Sequence, residues 1–343
     1  LDDYNYFFGG TKDPVTGKTT GRYLTADDKK RFRELFTDES KFIFSASFNL
    51  FSAVYNAGVN IGTFGFNITD MAYSKAVIPE TFAKLGLEGN LQNELYDFGG
   101  TKFGASWTRK YALTYARDFK LFNWKQVSAG ISLNIMQGFG YAAIDYIRTS
   151  FTFDANSQLH GTGDYRAISS FSPDFGVKYD FDTTDIQKGS AAFPFPTPAG
   201  TGFGVDLGFA AQINDKWSIG IALTDLGSMT WTQKAAEFKA EGAIFLDDLL
   251  NQEQRDSLVN VLKGKARSIS EFSTSLPGAL RFGAAFQTSG SSGGWLFATD
   301  LNFGFNNEPG NSTGARWSMG MEWNPKASWL PWFRTGFSVG GGA

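Results

Sequence analysis

The chain has 343 residues, no cysteine, a single histidine and a formal net charge of -3. Without cysteine there is no disulfide, thiolate nucleophile or sulfur-ligated metal. One histidine leaves no multi-histidine metal site, and the charge leaves no basic surface for nucleic acid. A composition that is 42% hydrophobic yet carries 40 Gly and 35 Phe is unlike a soluble α/β enzyme, and fits an all-β chain folded as one domain over 1–343.

In chain order, Leu1-Asp2-Asp3-Tyr4 has neither the basic nor the apolar region of a signal peptide. The far end stops at Val339 to Ala343 inside a strand or turn pattern, so both ends are expected to be trimmed. Thr25 before Ala26-Asp27-Asp28 reads as an N-cap with an acidic first turn, opening a short helix over 29–36. Pro79 opens another that ends near Gly86.

Segments 42–69 and 126–144 contain no charge and are long enough to cross a bilayer as helices. Their pattern is that of strands. Val127, Ala129, Ile131, Leu133 and Ile135 alternate with Ser128, Gly130, Ser132 and Asn134, a period of two with one apolar face. In 103–113 the same face carries Phe103, Trp107 and Leu113 but also Arg109, which requires a bulge or an interfacial position. His160 lies in what reads as a turn, and the segment 191–201, with Pro194, Pro196 and Pro198, reads as a connecting loop.

Alternation resumes with Phe203, Val205, Leu207 and Phe209, then Trp217, Ile219, Ile221 and Leu223. An amphipathic stripe over 244–262, stopped by Gly264, predicts a helical insertion within 234–268. Beyond it come Leu280 to Phe286, Trp295 to Phe303, Trp317 to Trp323 and Phe333 to Val339, each alternating. Asn214-Asp215, 306–310 and Asn324-Pro325 supply the turns.

Strands of roughly 9 to 11 residues suit a transmembrane β-barrel. A soluble sandwich would also alternate, but two features favour the barrel. Trp217, Trp231, Trp295, Trp317, Trp323 and Trp332 cluster near strand ends, as interfacial girdles do. With the apolar faces turned to lipid, Asp206, Arg281, Asp300, Arg316, Glu322 and Arg334 face the lumen, because a lipid-facing Arg near the midplane costs about 2–4 kcal/mol.

No enzyme signature is present. Asp27-Asp28 and Asp247-Asp248 are adjacent carboxylates that diverge on a helix. The glycines of 202–208 precede no helix, so they form no dinucleotide fingerprint. No metal site or cofactor is expected.

Gly202, Gly204, Asp206 and Gly208, followed by Trp217-Ser218-Ile219-Gly220 and by Leu223-Thr224-Asp225-Leu226-Gly227, resemble the strand pair of FadL-like and PorV-like outer-membrane barrels. The likeness is strongest to a Bacteroidota-type branch of undefined function. This resemblance implies an antiparallel barrel of about 14 strands, set among bacterial outer-membrane lipids. From FadL it implies passage of hydrophobic or amphipathic small molecules past an N-terminal hatch, for which 1–40 is the candidate segment. From PorV it implies a docking role with envelope protein partners. No ligand-contacting residue is carried over.

Overall fold

A computed structural model describes the chain except residues 1–5, 8, 13, 22, 37–40, 178–194, 248–250, 289–293, 325–334 and 343. A ribbon of β1 (Thr11–Lys12) and β2 (Thr19–Thr20) precedes α1 (Ala26–Glu34). Then follow β3 (Lys41–Asn56), β4 (Thr63–Val77), α2 (Glu80–Glu88), β5 (Leu95–Asp97), β6 (Lys102–Phe119), β7 (Gln126–Ile147), β8 (Ser150–Phe153) and β9 (Leu159–Phe171). The second half holds β10 (Gly200–Gln212), β11 (Trp217–Trp231), β12 (Ala236–Leu246), α3 (Gln252–Lys263), β13 (Lys265–Ser268), β14 (Phe272–Ser275), β15 (Ala279–Gln287), β16 (Gly294–Gly304), β17 (Arg316–Asn324) and β18 (Thr335–Gly342).

Strands β3 to β18 form one 16-stranded antiparallel sheet whose main path is β3-β4-β6-β7-β10-β11-β15-β16-β17-β18. It curls into a half-barrel. Among the described residues β3 pairs only with β4 and β18 only with β17, so the expected closed barrel of about 14 strands is present only as this curled wall. No described helix is long and apolar enough to cross a membrane; the uncharged stretches 42–69 and 126–144 lie mainly in β3, β4 and β7.

The curl follows from contacts that a flat sheet forbids. Lys110 on β6 and Asp225 on β11 are three strand spacings apart, about 14 Å at roughly 4.8 Å each, yet Lys110 Nζ lies 3.1 Å from Asp225 Oδ1. The two side chains therefore meet across a concave face.

The two ends of the wall differ. At one, the turn end, the connections that are fully described are short: 57–62, 120–125 and 213–216. At the other, the loop-rich end, lie α2, β5, β8, β9, β12, α3, β13 and β14. There β7 exchanges one partner for another: its first half pairs with β10 and its last residues with β9.

Local sequence explains the helices. Thr25 and Asp28 form a reciprocal capping box on α1, and Arg33 ties α1 to Glu80 and Glu88 of α2. Residues 1–40, expected as a hatch, thus send their described helix to α2. α2 begins after Pro79 as expected but continues to Glu88, stopping at Gly89 with φ 73°.

The 234–268 helical insertion is corrected: among its described residues only Gln252–Lys263 is helical, with Gly264 as its stop. Ile244 and Leu246 belong to β12, which pairs along its length with β9. Long-range pairing overrides the helical stripe there. The alternation Ala240, Ile244 and Leu246 buried against Glu241, Ala243 and Phe245 exposed was its sequence signal. Leu249 and Leu250 of that stripe lie outside the described residues.

Candidate functional site

The concave face is polar and charged. Cross-strand register carries Gly208 to Ala222 and on to Arg281, Arg281 to Asn302, and Asn302 to Arg316. Asp206, two residues from Gly208, therefore shares one face with Arg281 and Arg316. Asp300 joins them opposite Gly283 and Ser318, and Glu322 joins them opposite Leu296. The five lumen candidates within the described residues thus fall on a single face. Arg334, the sixth, lies outside them.

Asp206 enters a compact cluster. Its Oδ1 accepts a 2.6 Å hydrogen bond from the Asp225 amide, and its Oδ2 lies 3.8 Å from Lys110 Nζ. Lys110 and Asp225, absent from the lumen candidates, are the other two members. Around them Asn67, Asn134, Thr224, Asn302 and Arg316 each hold a buried side-chain polar atom without a hydrogen-bond partner in the protein.

Toward the loop-rich end the concave face is filled. Met71, Met136, Tyr141, Met229, Trp231 and Leu276 pack as one core. Trp231, read from the sequence as an interfacial aromatic, is only 1% exposed. Its indole N–H donates to Thr274 Oγ1 at 3.0 Å, and its ring lies 5.2 Å from that of Tyr141. The cause is a bulge: Thr224 and Asp225 together oppose Asp206, with Asp225 at φ 53°. One extra residue swaps the faces of everything after it, so Trp231 no longer shares a side with Trp217. Gly138 leaves it room, since a Cβ there would lie 2.4 Å from the indole.

A connecting loop completes the filling. Residues 305–312, leaving β16, reach β4, β6 and β7 across the concavity. Lys75 Nζ donates to Asn307 Oδ1 and to the Asn311 carbonyl, both at 3.1 Å. The Tyr141 hydroxyl donates to Glu308 Oε2 at 3.0 Å, and Pro309 sits against Gly104. Burial raises the Glu308 carboxyl above the usual carboxylate range, against the hydrogen bond from Tyr141. Under this loop a void of about 30 Å³ remains, bounded by Met71, Tyr73, Met136, Trp231 and Glu308. A separate cavity of about 310 Å³, lined by Lys75, Lys102, Phe103, Tyr141, Ile168 and Glu308, lies beside it. The sequence marked 306–310 only as a turn.

The convex face is apolar and exposed. Ile135 is 61% exposed and Phe203 53%, and these two are direct neighbours. Leu113, Leu133, Leu207, Phe282, Phe297, Met319 and Met321 extend the surface from strand to strand. At the turn end Trp217, Trp295 and Trp323 face outward, the last two stacked at 6.2 Å. Trp317 is outward at the other end, and Trp332 lies outside the described residues.

At the loop-rich edge of this surface runs a polar row in register: Asp70, Arg109, Gln137, Thr201, Thr230 and Ser273. Arg109, the awkward residue of the sequence reading, is 2% exposed and bidentate to Asp70 at 2.5 and 2.9 Å. Phe139, the bulged residue of β7, and Phe195, from the supposed connecting loop, cap it at 5.2 and 5.3 Å.

His160 is in β9, not a turn, paired with Asp154 at 3.5 Å and lying over Phe245. Three motif glycines serve packing: a Cβ at Gly227 would lie 2.0 Å from the Phe203 carbonyl, one at Gly202 2.4 Å from the Ser228 carbonyl and one at Gly204 2.7 Å from Leu276, whereas Gly208 faces open space. Among the described residues no group of three or more His, Asp or Glu could hold a metal.

No curated protein and no solved structure matches the chain. A family model described as a family of unknown function, DUF5723, matches residues 3–328. The chain therefore belongs to the DUF5723 family.

Proposed function

We propose that this protein is a non-enzymatic β-barrel of a Gram-negative outer membrane and that it passes small amphipathic molecules along its charged inner wall. The observation that carries the reading is the inversion of its two faces. Apolar side chains cover the convex side, while charges and unpaired polar atoms line the concave one.

Soluble monomers rarely expose contiguous apolar patches beyond a few hundred Å², and here large side chains are exposed on successive strands. On β10 the outward run from Phe203 to Ala211 covers about 27 Å of strand, or about 21 Å of height at a 40° tilt, against the roughly 25 Å band of outer-membrane barrels. Aromatics at the turn end and the Arg109 row at the other end suit its two interfaces. On the inside, a buried unpaired polar group costs about 1–3 kcal/mol in a dry interior; five neighbouring residues of this kind suit a wetted lumen.

Charge on the inner wall favours substrates with a polar end over fully apolar ones, within the range that FadL resemblance implies. Closure into a full barrel, near 14 strands, belongs to this proposal. Expression of the protein in a Gram-negative host tests it: the protein should fractionate with the outer membrane, run as a heat-modifiable band and raise liposome permeability to small solutes. Recovery in the soluble fraction would overturn it.

The filled loop-rich end supports a second reading, a barrel used as an anchor whose loops hold an envelope partner. Stable copurification of one stoichiometric protein, without any permeability, would favour that reading instead.

A further inference from the structure

We propose that residues 305–312 are a latch that closes the lumen, and that Lys75 and Tyr141 are its catch. The inference rests on the membrane-barrel reading above and adds how passage would be controlled.

Three observations converge on it. The first is reach. Between β16, where the loop begins, and β4, where Lys75 stands, lie β6, β7, β10, β11 and β15, about 29 Å of sheet at roughly 4.8 Å per strand. A hairpin connection that merely joined β16 to β17 would have no reason to touch the far wall, yet this one makes two hydrogen bonds to Lys75 and one to Tyr141.

The second is its internal order. Asn311 Nδ2 donates to the Gly278 carbonyl at 2.8 Å and to Asn306 Oδ1 at 3.1 Å, and Asn306 Nδ2 donates to the Leu276 carbonyl at 2.7 Å. The loop is thus a preformed unit, with a hinge side on the β14–β15 connection and a free side on the catch. Gly310, at φ 88°, turns the chain against the Tyr73 ring.

The third is what the loop covers. Beneath it the void is about 30 Å³, room for a water or two, while beside it the cavity is about 310 Å³. The constriction is made by the loop against the core of Met71 and Trp231; Tyr141, Glu308 and Pro309 border both spaces, so releasing the catch joins them. The hydrogen bonds to Lys75 and Tyr141 hold the free side beside the Pro309 contact with Gly104, and they can be exchanged for water when the loop lifts.

The natural absence of cysteine allows a clean test on the full chain. In one variant, Lys75→Met with Tyr141→Phe, the catch is removed. In the other, Gly104→Cys with Pro309→Cys, oxidation ties the loop to the wall where the two residues touch. Each is reconstituted in phosphatidylethanolamine/phosphatidylglycerol liposomes, insertion is checked by flotation and heat-modifiability, and carboxyfluorescein efflux and potassium chloride current are measured. The catchless variant should pass both probes several-fold faster than wild type; the oxidised pair should fall below wild type and recover with dithiothreitol. Equal efflux from all inserted proteins, including the oxidised and reduced pair, would overturn the latch while leaving the barrel reading intact. If the catchless variant does not fold, the cysteine pair decides alone. Failure of wild type to float with the liposomes would sink the membrane reading and the latch with it.

Discussion

Arg109 shows how a single residue can break the pattern of its strand and still be accommodated. Its place on the apolar face is readable from alternation alone, and the expectation of a bulge or an interfacial position follows from it. Its partner is not readable, because Asp70 is 39 residues away and meets Arg109 only through the β4–β6 register, which no local window contains. The ion pair sits under Phe139 and Phe195, where removal of one partner leaves a buried charge uncompensated. Arg109→Ala should therefore destabilise the protein by about 3–5 kcal/mol, read as a lowered urea midpoint in detergent micelles. The double change Asp70→Leu with Arg109→Met should regain most of that loss, since an apolar pair of similar volume carries no desolvation cost. A double variant no more stable than Arg109→Ala would show that the fold depends on the charges themselves.

Elements were legible where a period was long and uninterrupted, and illegible where one residue shifted it. Strands β7, β10, β11 and β15 to β17 follow the alternation closely, and the five described lumen charges were assigned to one face from sequence alone. Trp231 was misplaced because the bulge at Asp225 has no alternation signature of its own; only a non-glycine residue at positive φ betrays it. The latch was missed for a different reason. Asn, Pro and Gly mark a turn equally well whether the turn ends at the wall or folds across it.

The chemistry of this loop gives it a pH dependence. Glu308 faces the Tyr141 hydroxyl and the Ser275 backbone, with the Asp145 carboxylate adding repulsion and Lys75 holding the neighbouring Asn307. Burial raises its folded pKa above the unfolded value. Its contribution to docking is then fully present below the ordinary glutamate range and is lost as pH rises through the folded value. Glu308→Gln, which cannot ionise, should melt higher than wild type at pH 8 and match it near pH 4 in thermal scans followed by Trp fluorescence. Parallel curves for the two proteins across this range would remove the carboxyl from the mechanism.

At the scale of the whole molecule, the ten strands of the main path make a wall whose two faces have opposite chemistry, and among the described residues the elaborate connections lie at one end of it. The sequence pattern contains the inversion of faces but not its hand: alternation states that two faces differ, without stating which one is concave. Long-range contacts supply that, since Lys110 and Asp225 can meet only on the inside of the curl. Adjacent residues on β7 turn this into a test with its own control. Leu133 points outward at the middle of the apolar band and Ser132, beside it, points inward. Leu133→Arg should cost about 2–4 kcal/mol for a cation near the bilayer midplane and sharply reduce the heat-modifiable, membrane-inserted fraction. Ser132→Arg puts the same charge one residue away on the same strand, and should insert nearly as well as wild type because its guanidinium enters the polar lumen beside Asp206 and the Thr114 hydroxyl. Equal insertion of the two variants would mean that the convex face does not meet lipid. Reversed sensitivity would mean that the faces have been assigned the wrong way round.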